Sequence, residues 1–328
     1  MEKPLVSFIT PMKEKDYRVV GLLESIRRQR YPQDKIEILI IDGGSNPDVL
    51  KVCKNYGAKI YFNEKGLAEG AGMGKDQGIW KAQGKYIVIA ESDIELIGEN
   101  WIDVMITPLE ENPDLFASVP RLYIHRKDNI VNRYLSYVGV DPFAIYRALD
   151  AHIALGLVKM EDMGDYYKVR LNPEEPYCMG SNGFCFRKSL IDIVGDYAQD
   201  VEFIARLAKH NILEFAIPKG ADVFHKNVKG FKDFLKKRIR WTKNYSKIYI
   251  KEKKEFVWII RKDRFFIYVI KNLLIFPNIP VAVKKTFYYK DICWLLHPFM
   301  LFIVTAINVF FGLQSRNMIK EVFGKNER

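Results

Sequence analysis

Short β-rich runs recur along the first third of the chain, at Leu5–Ile9, Ile36–Ile41, Lys59–Phe62, Tyr86–Ala90 and Phe116–Pro120. Amphipathic stretches at Tyr17–Arg28, Pro47–Tyr56 and Gly74–Gln83 lie between them. Strand and helix periods that alternate in this way predict an α/β layer on a mostly parallel sheet, because parallel neighbours need a crossover, usually a helix, to return the chain. In open sheets of this kind ligands gather beyond the carboxyl ends of the strands. The residues that follow each strand therefore carry the functional argument.

Acids stand at two of those ends. In IDGGSNPD, Asp42 follows four apolar residues and precedes two glycines. In VIAESDIEL, Glu91 and Asp93 flank Ser92 where a buried strand is ending. Residues i and i+2 of a strand project to one side, so Glu91 and Asp93 are expected to face one point. Two carboxylates that close repel unless a positive group lies between them. Asp42 alone reads as an ordinary turn residue; its coincidence with the later pair at one sheet edge points to a ligand. A second Gly-punctuated loop, CMGSNGFCFRK, precedes GDYAQDVEFIARLAKH, where Asp200 opens a helix and an N-cap is the simplest role. Residues 121–175 carry a helical tendency from Val131 to Leu157 and no legible chemistry.

The net charge of +11 is concentrated. From Lys226 to Lys290 there are nineteen Lys or Arg against four Asp or Glu. Such a belt suits nucleic acid, a phosphorylated ligand or anionic lipid. The next segment decides among them: Ile292–Leu313 holds 22 residues with no Asp, Glu, Lys or Arg, about the length of one bilayer span. Membrane attachment is expected, and a nucleic-acid partner is not. Phe265–Val283, interrupted by Lys271, Pro277 and Pro280, is expected to lie in the interface. The opening MEKPLVSFITP has no signal-peptide pattern, the basic belt places the large N-terminal part on the cytoplasmic side, and four cysteines without C-x-x-C spacing read as reduced thiols.

In this order the pieces resemble the family 2 glycosyltransferases of the GT-A (Rossmann-like) fold, membrane-associated enzymes that take a sugar from a nucleotide-diphosphate donor. The resemblance runs from about Leu5 to Trp241 and rests on VSFITP, IDGGS, GKDQGIWKAQGKYIVIAESD, QDVEFIARL and KRIRW. Lys75 and Asp76 stand where the family has Arg and Asn, Gly78 matches, Glu91-Ser92-Asp93 occupies the D-x-D position, and Lys237 replaces the Gln of Q-x-x-R-W. The resemblance implies that Asp42, Lys75, Arg240 and Trp241 contact the donor. It implies that Asp93, with Glu91 and His225, holds Mg²⁺ or Mn²⁺ on the diphosphate, and that Asp200 is the general base of an inverting transfer. A hard cation with oxygen ligands suits a diphosphate leaving group, and a carboxylate suits removal of a hydroxyl proton.

The expected organisation is a GT-A domain over 1–225, basic amphipathic interfacial helices over 226–290, and a transmembrane helix with a short tail over 291–328, the span standing alone or as half of a hairpin with Phe265–Val283. The expected partners are a nucleotide-sugar donor (UDP- or GDP-), a lipid-phosphate or glycan acceptor such as a polyprenyl phosphate, and anionic membrane lipids. The rival reading is a catalytically silent, membrane-tethered subunit that binds nucleotide-sugar or lipid, and the altered acidic motif is its support.

Overall fold

A computed structural model describes residues 2–63, 72–139, 147–197, 199–248 and 262–314. The linker within the basic segment and the tail after Gln314 lie outside the described residues. The chain divides into two compact units, one formed by residues 1–123 and 158–226, the other by residues 124–157 and 227–328. Ile124–Leu157 groups with the C-terminal unit and not with the segments that flank it in sequence.

In the first unit β1 (Val6–Met12), α1 (Val19–Arg27), β2 (Ile36–Asp42), α2 (Pro47–Asn55), β3 (Lys59–Phe62), α3 (Gly72–Lys81) and β4 (Tyr86–Ile89) follow the expected alternation to within a few residues. The sequence explains these boundaries locally. The Asn46 side chain accepts the Asp48 N–H at 3.0 Å and Pro47 occupies the first turn, so α2 starts there. Gly57, at φ +80°, follows its end. Helix α1 buries Val19, Leu22, Leu23 and Ile26, its apolar stripe, in the core that contains Phe8, Val88 and Trp101.

The strands β3, β2, β1 and β4 are mutually parallel, with Met12 opposite Asp42 and Ile9 opposite both Leu39 and Ile89. Their carboxyl ends therefore form one edge. Beyond β4 come β5 (Ile94–Leu96), α4 (Trp101–Glu111), β6 (Leu115–Ser118) and β7 (Arg121–Leu122), and then, after the excursion into the second unit, β8 (Glu161–Asp162) and β9 (Tyr166–Arg170). The unit closes with β10 (Phe184–Arg187), α7 (Leu190–Val194), α8 (Asp200–Lys209), β11 (Glu214–Pro218) and β12 (Asp222–His225). The large sheet has the order β3-β2-β1-β4-β10-β6-β11-β9-β8, with β10 antiparallel to both its neighbours. A second, small sheet pairs β12 with β5 and β7.

Helix α3 lies directly on β1. A Cβ at Gly78 would stand 2.4 Å from Ile9 Cγ2, and one at Gly74 would stand 3.1 Å from Pro11 Cβ. These two glycines set the depth at which Lys75 enters the site.

The second unit is helical: α5 (Ile130–Val138), α6 (Leu149–Leu155), α9 (Phe231–Ile248), α10 (Lys262–Leu273), α11 (Ile279–Tyr289) and α12 (His297–Leu313), the last preceded by a 3₁₀ turn over Ile292–Leu296. Its core joins Tyr134, Phe234, Trp294 and Met300, with Tyr289 stacked on Trp294 at 5.6 Å between ring centroids. Among the described helices, Ile292–Leu313 is the one long and apolar enough to cross a membrane, and 44% of its most apolar window is buried in the protein; α10 and α11 pass the same test only as a pair bent by 100°.

Candidate active site

Strand β2 delivers Asp42 to the carboxyl edge, where it is buried. Its Oδ1 accepts the Ser45 N–H at 2.8 Å, and its carbonyl accepts the Asn63 N–H at 2.8 Å. The carboxylate thus braces the Gly43-Gly44 turn with one oxygen, the turn role expected of an aspartate at this point.

Glu91 and Asp93 leave the same edge but go to different partners. Strand β4 ends at Ile89 and the chain turns at Ser92–Asp93, so the two-residue period of a strand no longer applies. In this structure the two acids meet different partners. Glu91 Oε1 accepts from Lys75 Nζ at 3.0 Å and its Oε2 accepts the Asn182 N–H at 2.6 Å. Asp93 Oδ1 lies 3.2 Å from His225 Nε2, and its Oδ2 lies 3.8 Å from an Arg18 guanidinium nitrogen. Pairing of β12 with β5 places His225 opposite Ile94, and the Lys226 N–H bonds the Asp93 carbonyl at 2.9 Å, which holds the ring beside the carboxylate. Ser92, between the two acids, donates to Glu14. Glu14 has its pKa raised by burial, partly countered by the Ser92 hydroxyl.

The positive group beside Glu91 is an ammonium. Lys75 Nζ, on a side chain only 4% exposed, donates to Glu91 and to both oxygens of Asp200, at 2.8 and 3.0 Å. Burial alone would lower the Lys75 pKa, but Asp200 and Glu91 together outweigh it and hold the ammonium charged. Asp200 is the first residue of α8, and Gln199 takes the cap position without a side-chain bond. Its pKa is raised by burial and by the Glu91 charge, against the pull of Lys75 and a hydrogen bond from Tyr197. The Tyr197 hydroxyl oxygen also lies 2.5 Å from the Gly180 carbonyl, so its single proton is shared between the two acceptors.

Gly180 and Asn182 connect these groups. Both belong to the loop before β10, and both adopt positive φ, +119° and +54°. A Cβ at Gly180 would come within 3.0 Å of Asp200 Cβ and of the Tyr197 hydroxyl. The loop can pass this close to α8 because its residue there has no side chain. The GSNG run signals such a backbone in the sequence. Arg18 and Tyr197 give no comparable local signal.

The donor set at Asp93 and His225 fits a divalent cation: one carboxylate and one imidazole 3.2 Å apart, with substrate phosphates and water to complete six-fold coordination, as Mg²⁺ sites usually require. Among the described residues no three His, Cys, Asp or Glu side chains gather closely enough to hold an ion by themselves. Arg240 and Trp241 belong to α9 in the second unit and are both exposed; the buried Arg of that helix is Arg238, whose guanidinium lies 5.1 Å from the centroid of the Trp241 ring.

Acids at the carboxyl edge of a parallel sheet, with a lysine-paired aspartate at a helix start beside them, make up the candidate site of this α/β unit. The model of glycosyl transferase family 2 matches residues 7–194, and the chain belongs to that family. Over 115 residues it is 30% identical to an uncharacterized glycosyltransferase of Rickettsia bellii, covering 34% of this chain and 16% of that protein. Over 99 residues it is 31% identical to the glucosyl-3-phosphoglycerate synthase of Petrotoga mobilis, covering 29% of this chain and 30% of that one. The matches thus span less than a third of the length of either relative. The fold is similar to that of the mannosyltransferase PcManGT from Pyrobaculum calidifontis, solved in complex with GDP-Man and Mn²⁺, with a TM-score of 0.55, 13% identity, and coverage of 94% of this chain and 88% of that one. The α/β fold is GT-A-like.

Proposed function

We propose that the chain is an inverting glycosyltransferase that moves a sugar from a UDP- or GDP-sugar to an acceptor held at a membrane, such as a polyprenyl phosphate or a lipid-linked saccharide. The observation that carries this reading is the placement of a charged-paired Asp200 beside the edge from which Asp42, Glu91 and Asp93 emerge.

The acceptor hydroxyl attacks the anomeric carbon from the face opposite the leaving diphosphate, and its proton passes to Asp200. Removal of that proton in the transition state is a task for a carboxylate within hydrogen-bond reach. Lys75 orients both oxygens of this base and opposes the rise in pKa that burial and Glu91 impose on it. Glu91 in turn fixes Lys75 and the Asn182 amide. Asp93 and His225 would hold Mg²⁺ or Mn²⁺, with Glu91 contributing at longer reach, and Asp42 would meet the nucleoside through the oxygen that Ser45 leaves available. When bound, the ion supplies charge neutralisation for the departing diphosphate. The exposed guanidinium of Arg240 beside Trp241 suits bidentate contact with a phosphate. In this reading the protein is membrane-attached, with its α/β unit on the cytoplasmic face. The basic belt and the apolar C-terminal helix support it, and the lipid acceptor follows from that attachment.

One observation favours the silent-subunit reading: Lys75 already occupies both oxygens of Asp200. A screen of nucleotide-sugars for Mn²⁺-dependent release of nucleoside diphosphate separates the two. Turnover that is lost in folded Asp200→Asn and Asp93→Asn variants supports transfer. Calorimetric binding of a nucleotide-sugar without turnover, over a panel of acceptors, supports the silent subunit.

A further inference from the structure

We propose that α12 does not cross the bilayer but lies in the plane of the membrane, and that α10, α11 and the exposed face of α12 form a monotopic seat for an anionic lipid surface. This deepens the membrane attachment in the reading above and does not depend on the transfer chemistry.

The first argument is the company α12 keeps. Helix α5 holds the chain just before α9 through Asn129 and Asn132, which bond the Val228 carbonyl and N–H at 2.9 and 3.1 Å. The same helix contacts the start of α12, where the Tyr134 hydroxyl meets His297 Nδ1 at 2.8 Å. Further along both helices, Thr242 of α9 donates to Asn308 of α12 at 3.3 Å, and the Lys243 ammonium sits 5.1 Å from the Phe311 ring centroid. Phe234 of α9 shares one hydrophobic core with Met300 and Val304 of α12, so α9 runs beside α12 from Phe234 to Lys243, about 14 Å at 1.5 Å per residue. Over that length α9 carries Lys236, Lys237, Arg238, Arg240 and Lys243. If α12 stood across the hydrocarbon, this charged helix would be drawn in beside it, which the cost of charge at bilayer depth opposes.

The second argument is which faces are left open. On α12 the exposed Phe299, Phe310 and Leu313 share one side with Ile303 and Ala306, while Leu301, Val304 and Thr305 are buried. Thr305 accepts from Asn272 of α10 at 3.2 Å, and Asn272 accepts from Asn278 at 3.2 Å, so the polar groups of these helices are satisfied inside the unit. The sides that remain open carry Ile267, Ile270, Leu274, Phe276, Phe287 and Ile292, all exposed. Helices α10 and α11 have 12 and 11 residues and meet at 100°, so neither reaches across ~30 Å of hydrocarbon and the pair does not add up to a span.

Charge selects the occupant. Between Lys262 and Lys290 there are six Lys or Arg and one acid, Asp263. Of these, Lys271, Lys284 and Lys290 are exposed among the apolar side chains. An apolar face rimmed by lysine fits acyl chains beneath acidic head groups.

The test uses the full-length chain with Cys178→Ser, since Cys53, Cys185 and Cys293 are buried, and a single added thiol at Gln314→Cys just beyond α12. With an in-plane helix, a membrane-impermeant maleimide labels that thiol in inverted bacterial membrane vesicles, and at least tenfold less in intact spheroplasts. Labelling in spheroplasts and protection in inverted vesicles would establish a span and overturn the proposal. Independently, the purified chain is floated with phosphatidylglycerol–phosphatidylethanolamine vesicles. An Ile267→Glu/Phe287→Glu variant is expected to float at least tenfold less while its diphosphate release in solution is unchanged. Equal flotation of the variant, or no flotation of the parent chain, overturns the seat. The release assay in detergent then judges the transfer reading separately.

Discussion

Replacing Lys75 by Met removes an ammonium that touches both Glu91 and Asp200, and the consequence is a shift in the pH dependence of transfer. At 2.8 Å and an effective dielectric near 20, the attraction between Lys75 and Asp200 has a Coulomb ceiling of about 6 kcal/mol. The Asp200 side chain keeps 30% exposure, so solvent takes back a share of this. An opposite charge at contact distance moves a carboxylate by about 1–3 pKa units, equivalent to roughly 1.4–4 kcal/mol. Burial and Glu91 already raise the Asp200 pKa, and Lys75 opposes them, so its loss moves the pKa further up. A general base works deprotonated, and activity is gained as pH rises through its pKa. The acidic limb of kcat/KM is therefore expected about 1–3 units higher in Lys75→Met, and close to its original position in Lys75→Arg, which keeps the charge. The assay is initial-rate sugar transfer or diphosphate release between pH 5 and 9, with circular dichroism at each pH. Loss of one member of a buried pair also costs about 3–5 kcal/mol of stability, so the comparison is made below the variant's melting temperature. A folded Lys75→Met enzyme whose acidic limb stays in place would refute the coupling between this lysine and the base.

Asp93→Asn and His225→Ala are expected to weaken Mn²⁺ binding at least tenfold, about 1.4 kcal/mol, in electron paramagnetic resonance titrations with nucleoside diphosphate present; unchanged affinity in both would move the cation elsewhere. Gly180→Ala forces a side chain into positive φ and against Asp200 and Tyr197, so a stability loss of about 1–3 kcal/mol and a fall in kcat larger than any change in KM should appear together. Asp291, whose side chain is 1% exposed, is paired with Arg133 at 2.9 Å and Arg126 at 3.0 Å. Burial raises its pKa, but the Cys293 N–H and Arg133 prevail and hold it below the usual range. Its contribution is complete above the unfolded-state pKa of about 4 and is lost as pH falls through the lower folded-state value. Asp291→Asn should therefore cost about 3–5 kcal/mol at neutral pH, and the difference from the parent in thermal melts should shrink on acidification.

Much of the α/β unit was legible because its signals are local. Asn46-Pro47, the alternating apolar periods and the turn formers after Asp42 act within a few residues, and the strands and helices they predict are present. The antiparallel insertion of β10 next to β4 had no such signal, since register between distant strands is settled by packing. The segment 124–157 was opaque for a related reason: its helices are partnered by residues more than 90 positions later, as in the bond between Asn132 and Val228.

Sequence by itself determined which acids stand at the carboxyl edge, that α12 is uncharged, and that basic residues precede it. Only the tertiary structure decided which cation each acid meets. One turn at Ser92–Asp93 sends Glu91 to Lys75 and Asp93 to His225, and those partners come from α3 and β12, brought together by glycines that let a helix touch β1 and by pairing in the small sheet. The same holds for α12: its composition permits a span, while the in-plane placement proposed above rests on the charged helix packed along it. Composition fixes what a segment tolerates, and neighbours far away in the chain fix what it is used for.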